Sequence, residues 1–574
     1  MEPDRWEEER RRGLTIDLGF AWTVLPSGRV VAFVDVPGHQ RFLGNTLAGV
    51  GPAPVVCFVV AADEGWQAQS SDHRDAVAAL GIRHGLVVIT RADRAPEHVG
   101  DVLAQARDQL AGTGLRDAPA VVVSAVEGSG LVELRATLDD VLAQVPAPPA
   151  AARLRLWVDR SFTITGAGTV VTGTLSAGTL ARGDRLELLG SQGARSVAIR
   201  GLQSRGKPYP ALEPVARAAL NLRGVSHTDI RRGDALITPD AWPNTAALDV
   251  RRVTGDPLTE APAQLVVHVG TAAVPARLRS FDADHARLSL QWRLPLVLGD
   301  RLVLRDPGGR RVLGGAQVLD AEPPALRRRG DSTRRAADLA ATDARGDLAA
   351  EVARRGAVQE RHLRLLGLLP SGSARSPAGV RVLDGWWVHG ATYEAWGQRL
   401  RSALHELRDR DPLAAGLSRG AARDLLALPD EALLDAIARD TGLEQSGGHI
   451  RLADTPDDLG PAEGAVAQLE SRLRAEPFSA PEADELAAMH LGARELAAAE
   501  RTGRLLRLRD GLVVLPTAPA LAMRVLARLE QPFTTSQARQ ALDTTRRVAV
   551  PLLEHLDRRG WTRRLDAGHR EVVR

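Results

Sequence analysis

A multidomain fold is predicted, written in three successive styles: an α/β domain on a parallel sheet, two small β-barrels, and a helical array closed by two-stranded wings. Three observations predict it. Residues 13–145 alternate short apolar runs with segments at helical spacing, which is the pattern of βαβ units. Residues 154–323 break into short strands at Gly-Asp and Gly-Gly turns, as small barrels do. From about 338 onward an aromatic start, an Ala-rich helix, a turn, a second helix and a paired strand recur. That is the winged-helix pattern.

Composition narrows the class. At 574 residues the chain is too long for one core. It is 44% hydrophobic and 25% charged, so it can fold throughout. One cysteine, Cys57, excludes a disulfide framework and a Cys-rich zinc site. The longest clear apolar run, Val55–Ala62, is about half a membrane span. The charged start MEPDRWEEERRRG has no apolar signal core. A cytoplasmic protein without a membrane partner is expected. The base is almost all arginine, with Lys207 the single lysine, and the net charge is only +3. A functional basic patch must therefore be a local cluster.

In the first domain (1–145), strands are expected at Val30–Val34, Val55–Val60, Leu86–Ile89 and Ala120–Val123, with helices at Ser71–Leu80, Val99–Gly112 and Leu131–Val145. The first of these is expected to be buried and ends in Asp35-Val36-Pro37-Gly38-His39. An Asp at the carboxyl end of a sheet strand is placed to hold Mg²⁺. Gly38, without a Cβ, lets a backbone N–H approach a γ-phosphate. Upstream, Thr15 of Arg12-Gly13-Leu14-Thr15-Ile16-Asp17 offers a second metal ligand. The third strand ends in Thr90-Arg91-Ala92-Asp93, whose carboxylate can accept both N1–H and N2–H₂ of guanine. The fourth ends in Ser124-Ala125, whose backbone can reach the guanine O6.

A Pro/Ala linker (146–152) leads to two barrels, expected over 153–241 and 242–323. The Arg-Gly-Asp tripeptides at Arg182 and Arg232 are read as hairpin turns. Residues 324–337 are expected to be a solvated basic linker. Four winged-helix modules are then expected, at 338–400, 401–454, 455–517 and 518–574. Trp386-Trp387 is read as packing rather than base stacking. In residues 531–574, nine arginines stand against five acids, net +4. Arg546 and Arg547 open the predicted second helix of the last module, and Arg558 and Arg559 close it. Arg563, Arg564 and Arg570 lie on its wing. Guanidinium groups so placed can grip RNA phosphates.

RGLTID, DVPGH and Thr90-Arg-Ala-Asp93 together resemble a translational GTPase of the elongation factor Tu class, and Gly166–Gly178 (GAGTVVTGTLSAG) is similar to its second-domain barrel. With the winged array, the chain resembles the bacterial selenocysteine-specific elongation factors, as do Glu7–Trp22 and Val158–Gly173. The resemblance implies GTP/GDP and Mg²⁺ as ligands and GTP hydrolysis as the reaction, with His39 positioning the attacking water. It implies selenocysteinyl-tRNA, an mRNA hairpin and the ribosome as partners of a monomer. Asp159, Arg160 and Arg217 would form the selenocysteine pocket, bordered by Phe20, and the last module would bind the hairpin.

Arg91 stands where the family has lysine. The phosphate loop G-x-x-x-x-G-K-[ST] has no counterpart in these residues. Without its N–H cradle, tight GTP binding by the chain as written is expected to fail. An upstream start is the expectation, because the downstream motifs are intact. A degenerate GTPase acting only as an RNA-binding protein, and a general Tu-type factor with an unrelated tail, are the alternatives.

Overall fold

A computed structural model describes residue 15 and residues 17–166, 168–308, 311–343, 346–369, 375–453 and 459–573. The chain divides into two compact units, Met1–Glu351 with Val358–Pro377, and Val352–Ala357 with Ala378–Arg574.

In the first unit, β1 (Gly19–Val24) and β2 (Val30–Asp35) form an antiparallel hairpin. Helix α1 (Leu43–Val50) follows, and then β3 (Val56–Ala61), α2 (Ala68–Leu80), β4 (Gly85–Thr90), α3 (Val99–Leu110), β5 (Ala120–Val122) and α4 (Leu131–Ala143). Strands β3, β4 and β5 are parallel, in that order. Their side chains alternate between two cores, as a period of two requires. Val87 and Ile89 pack with Val77 and Val102 on one face. Leu86 and Val88 pack with Leu25 and Leu138 on the other. Asp139 of α4 pins the hairpin turn, accepting from Ser27 N (2.9 Å) and Ser27 Oγ (2.7 Å) and pairing with Arg29.

Strand β2 departs from expectation. Val30 is 42% exposed and Phe33 37%, and Val59 of β3 is 56% exposed. A strand is buried on both faces only when neighbours cover it, and among the described residues β2 pairs with β1 alone. Each such side chain forgoes part of the roughly 1.5–3 kcal/mol that full burial contributes.

Two barrels follow. In the first, β6 (Arg155–Ile164), β7 (Gly168–Leu175), β9 (Arg185–Gly190), β10 (Gly193–Ser204), β13 (Ala216–Arg223) and β14 (Ala235–Ile237) form a ring closed by β9 on β10; the short β8 (Leu180–Ala181), β11 (Lys207–Tyr209) and β12 (Ala211–Leu212) lie outside that ring. The second is a closed barrel of β15 (Thr245–Gly255), β16 (Gln264–Val269), β17 (Ala272–Ser280), β18 (His285–Leu294), β19 (Arg301–Arg305) and β20 (Val312–Asp320). The barrels meet where Trp157 lies on Gly270, whose φ is +53° and whose missing Cβ would fall 2.2 Å from the indole Cδ1. Any side chain there would displace the tryptophan.

Helices α1 and α2 seat on the second barrel through Leu43, Leu47, Ala76 and Ala79 against Val303 and Val312. Beneath Gly44, His268 Nε2 lies 3.0 Å from Arg305 Nη1. Burial, and then the Arg305 charge, push the His268 pKa down to about 3. The folded protein keeps this imidazole neutral, whereas the unfolded chain protonates it below the ordinary 6.5. Stability therefore falls as pH drops through the interval from 6.5 to about 3. From pH 7 to pH 5 this group alone is expected to remove about 2 kcal/mol. His268→Gln should flatten that slope in thermal melts, and parallel pH profiles for the two proteins would contradict the assignment.

The expected linker 324–337 is corrected in part. Asp331–Ala341 is a helix, α5, and its Arg335 is buried. Arg335 Nε donates to Asp249 at 2.7 Å and its Nη2 to Asp320 at 2.5 Å. The expected module 338–400 is also divided. The helix Glu360–Leu366 belongs to the first unit, where His362 Nε2 lies 2.8 Å from Glu322 Oε2 and Arg153 Nη1 donates to Leu365 O at 2.5 Å.

In the second unit, helix bundles alternate with short hairpins. The hairpins are Val380–Leu383 with Trp386–His389, Leu443–Ser446 with His449–Leu452, Leu506–Arg507 with Val513–Val514, and Thr562–Arg564 with His569–Val572. Trp386 and Trp387 are buried, at 9% and 2% exposure, and Trp386 Nε1 donates to Asp430 at 3.2 Å. Phe533, fully buried, centres the last core with Leu552, Leu553 and Leu556. Among the described residues no helix is long and apolar enough to cross a membrane.

Candidate functional site

At the first domain, the hairpin brings Thr15 to Asp35 across twenty residues of chain, and the threonine hydroxyl donates to Asp35 Oδ2 at 3.1 Å. Hard oxygen donors in contact are the kind of set Mg²⁺ takes, so the two predicted ligands fit that ion. The loop after Asp35 is held from behind. Pro37 O accepts from Thr46 Oγ1 at 2.7 Å. His73 of α2 also bonds the Pro37 backbone, while its burial pulls its pKa down. His39 is exposed, and its Nδ1 accepts the Arg41 N–H at 3.1 Å.

The other predicted nucleotide residues sit at the carboxyl ends of β4 and β5. Ala92 N donates to Val123 O at 3.3 Å, which joins the Thr90–Asp93 loop to the Ser124-Ala125 loop. Ser124 is fully buried, with its Oγ accepting from Glu127 N at 3.2 Å, while Asp93 and Ala125 are exposed. Arg91 adopts a left-handed φ of 54° and pairs with Glu64 (2.6 Å) and Asp63 (3.4 Å) of the loop after β3. These acids were not foreseen. Thr15–Asp35 and Thr90–Ser124 therefore form two groups, one on the hairpin and one on the parallel sheet.

The predicted pocket residues do come together. Asp159 and Arg160 are neighbours on β6, where a regular strand would point them to opposite faces. The register with β7 shifts between Val158 and Arg160, a bulge of the kind that re-aims side chains. Arg217 of β13 forks onto buried Asp159, with Nη2 2.7 Å from Oδ1, and Thr172 donates to the same oxygen at 2.6 Å. The Phe20 ring lies 4.0 Å from the Arg217 guanidinium carbon and 5.2 Å from that of Arg160. Arg160 pairs with Asp17 at 3.3 Å, and Arg232 pairs with it at 2.6 Å. Burial opposes the Asp17 charge, but Arg232, then Leu18 N–H and Arg160, hold its carboxyl below the usual range. Three guanidinium groups thus face two carboxylates. Arg160 Nε is buried with no hydrogen-bond partner among the described residues. Arg232, read from sequence as a turn, is a member of this cluster that the reading missed.

The last module sorts its arginines. Arg570 is corrected: it is 5% exposed and bonds Asp557 (2.9 Å) and Thr535 (3.1 Å), so it wires the module internally. Arg547 is likewise engaged, donating to Ala480 O at 2.7 Å and pairing with Glu482 at 3.0 Å. Arg563 pairs with Glu571. Arg546, Arg558, Arg559 and Arg564 are exposed, with no carboxylate partner among the described residues.

Comparison with known proteins matches this architecture piece by piece. The family profile "Elongation factor Tu GTP binding domain" matches residues 1–144 and "Elongation factor Tu domain 2" matches 168–237. "Selenocysteine-specific elongation factor, beta-barrel domain" matches 246–325, and "Elongation factor SelB, winged helix" matches 524–570. A selenocysteine-specific elongation factor of Desulfomicrobium baculatum is 28% identical over 98% of this chain and 94% of its own length. The chain belongs to the family of selenocysteine-specific elongation factors. The Escherichia coli (strain K12) selenocysteine-specific elongation factor is 37% identical over 56% of this chain, and the alignment spans about half, 52%, of that relative. In fold, the chain is similar to a crystal structure of a bacterial selenocysteine-specific elongation factor, with a TM-score of 0.77 at 24% identity, covering 100% of this chain and 96% of that one.

Proposed function

We propose that this family member, in a form that carries the phosphate loop, binds GTP and selenocysteinyl-tRNA, recognises an mRNA hairpin through its last module, and carries the tRNA to the ribosome at UGA, as a cytoplasmic monomer. The observation that carries the reading is the cluster around Phe20. A selenol ionises well below a thiol, so the side chain arrives as an anion, and a cluster one charge short of neutrality favours it over the neutral hydroxyl of serine.

Thr15 and Asp35 would hold Mg²⁺, which when bound neutralises phosphate charge. His39 accepts at Nδ1, so its neutral tautomer carries the proton on Nε2. It therefore orients a water as a donor and does not deprotonate it. Asp93 would read guanine, and Arg91, tethered to Asp63 and Glu64, would cover the base with its stem.

Filter binding with charged tRNAs tests the reading: selenocysteinyl-tRNA should bind at least about tenfold more tightly than seryl-tRNA, and equal or reversed affinities would overturn it. For the RNA end, Arg558→Ala with Arg564→Ala should weaken hairpin binding and flatten its salt dependence by about two. Arg570→Ala should instead lower the melting temperature of the last module. If the double variant kept the wild-type salt slope, the assigned surface would be wrong.

A further inference from the structure

Arg232 touches three elements at once. Its Nε donates to Asp159 O of the pocket strand at 2.9 Å. Its Nη1 donates to Asn45 Oδ1 of α1 at 2.7 Å, and its Nη2 to Asp17 Oδ1 at 2.6 Å. The turn beneath it is rigid: Gly233 N donates to Val158 O at 3.0 Å, and Gly233 has a φ of +96° with a missing Cβ only 2.8 Å from Ala272 Cα. A planar guanidinium on a fixed turn is a three-way connector that an ammonium cannot replace.

We infer that Arg232 is a positioning residue that couples the loop carrying Thr15 to the aminoacyl pocket. Asp17 lies two residues from Thr15, which bonds Asp35, and three residues from Phe20, on which Arg217 and Arg160 rest. Seating Asp17 on Arg232 therefore seats Phe20 over the pocket. Asn45 brings in the helix that follows the Asp35–His39 loop. Ordering the Thr15 loop and seating Phe20 over the pocket are therefore coupled through Asp17 and Arg232. This rests on the proposed function for its ligands, but the coupling itself is a property of the apo chain.

The test uses the full chain with Arg232→Met, Arg232→Lys and Asp17→Asn. Hydrogen exchange is read at residues 18–24 and at β16–β17 as a folding control. Both Arg232→Met and Asp17→Asn should accelerate exchange at 18–24 by about tenfold or more and leave the control strands unchanged. Combined, they should do no more than either alone. Arg232→Lys should behave as Arg232→Met. In parallel, Arg232→Met should weaken selenocysteinyl-tRNA by about tenfold and seryl-tRNA much less. Wild-type exchange at 18–24 in these variants, or a lysine that restores it, overturns the coupling. A wild-type protein without preference between the two tRNAs overturns the pocket reading instead, and the exchange result still decides the coupling.

Discussion

Asp249→Ala destabilises the second barrel by about 3–5 kcal/mol. Asp249 is fully buried and accepts from Arg287 Nε (2.7 Å) and Nη2 (3.0 Å) and from Arg335 Nε (2.7 Å). Alanine leaves two guanidinium groups short of their carboxylate; among the described residues Arg335 then keeps Asp320 and Arg287 the Pro324 carbonyl. Removing one partner of a buried ionic set costs far more than the set contributes in net terms, because the remaining charge cannot be rehydrated. Helix α5, which Arg335 anchors, should detach first. Denaturant melts followed by limited proteolysis at 331–341 will read both effects, and a loss under about 1 kcal/mol would show that water reaches these groups.

Arg217→Met lowers affinity for selenocysteinyl-tRNA by about 100-fold and changes affinity for seryl-tRNA by less than about threefold. The substitution removes the charge nearest Phe20 and leaves Asp159, which is 4% exposed, without its fork. The carboxylate then faces the arriving anion instead of neutralising a guanidinium. Arg217→Lys should recover little, because a point charge cannot span both oxygens of Asp159. Equal losses for both tRNAs would reduce Arg217 to a structural pair.

Much of the site was legible because its chemistry is written in contiguous motifs. Asp35–His39 and Thr90–Asp93 fall directly after apolar runs, so a strand end could be read straight off the chain. Arg570 was misjudged for a converse reason. A charge count cannot distinguish an arginine facing solvent from one folded back onto Asp557. Arg335 hid in the same way inside a run that looks solvated.

By itself the sequence determined the order of domains, the family, and which residue types stand at the strand ends, since periodicity and motif spacing are local properties. Only the tertiary structure decided that a bulge at Val158–Arg160 turns Asp159 and Arg160 into one site, that Arg232 joins them, and that β2 pairs with β1 alone among the described residues. Those outcomes depend on which distant segments lie alongside, and the free energy of a charge or an apolar side chain is set by what surrounds it in space.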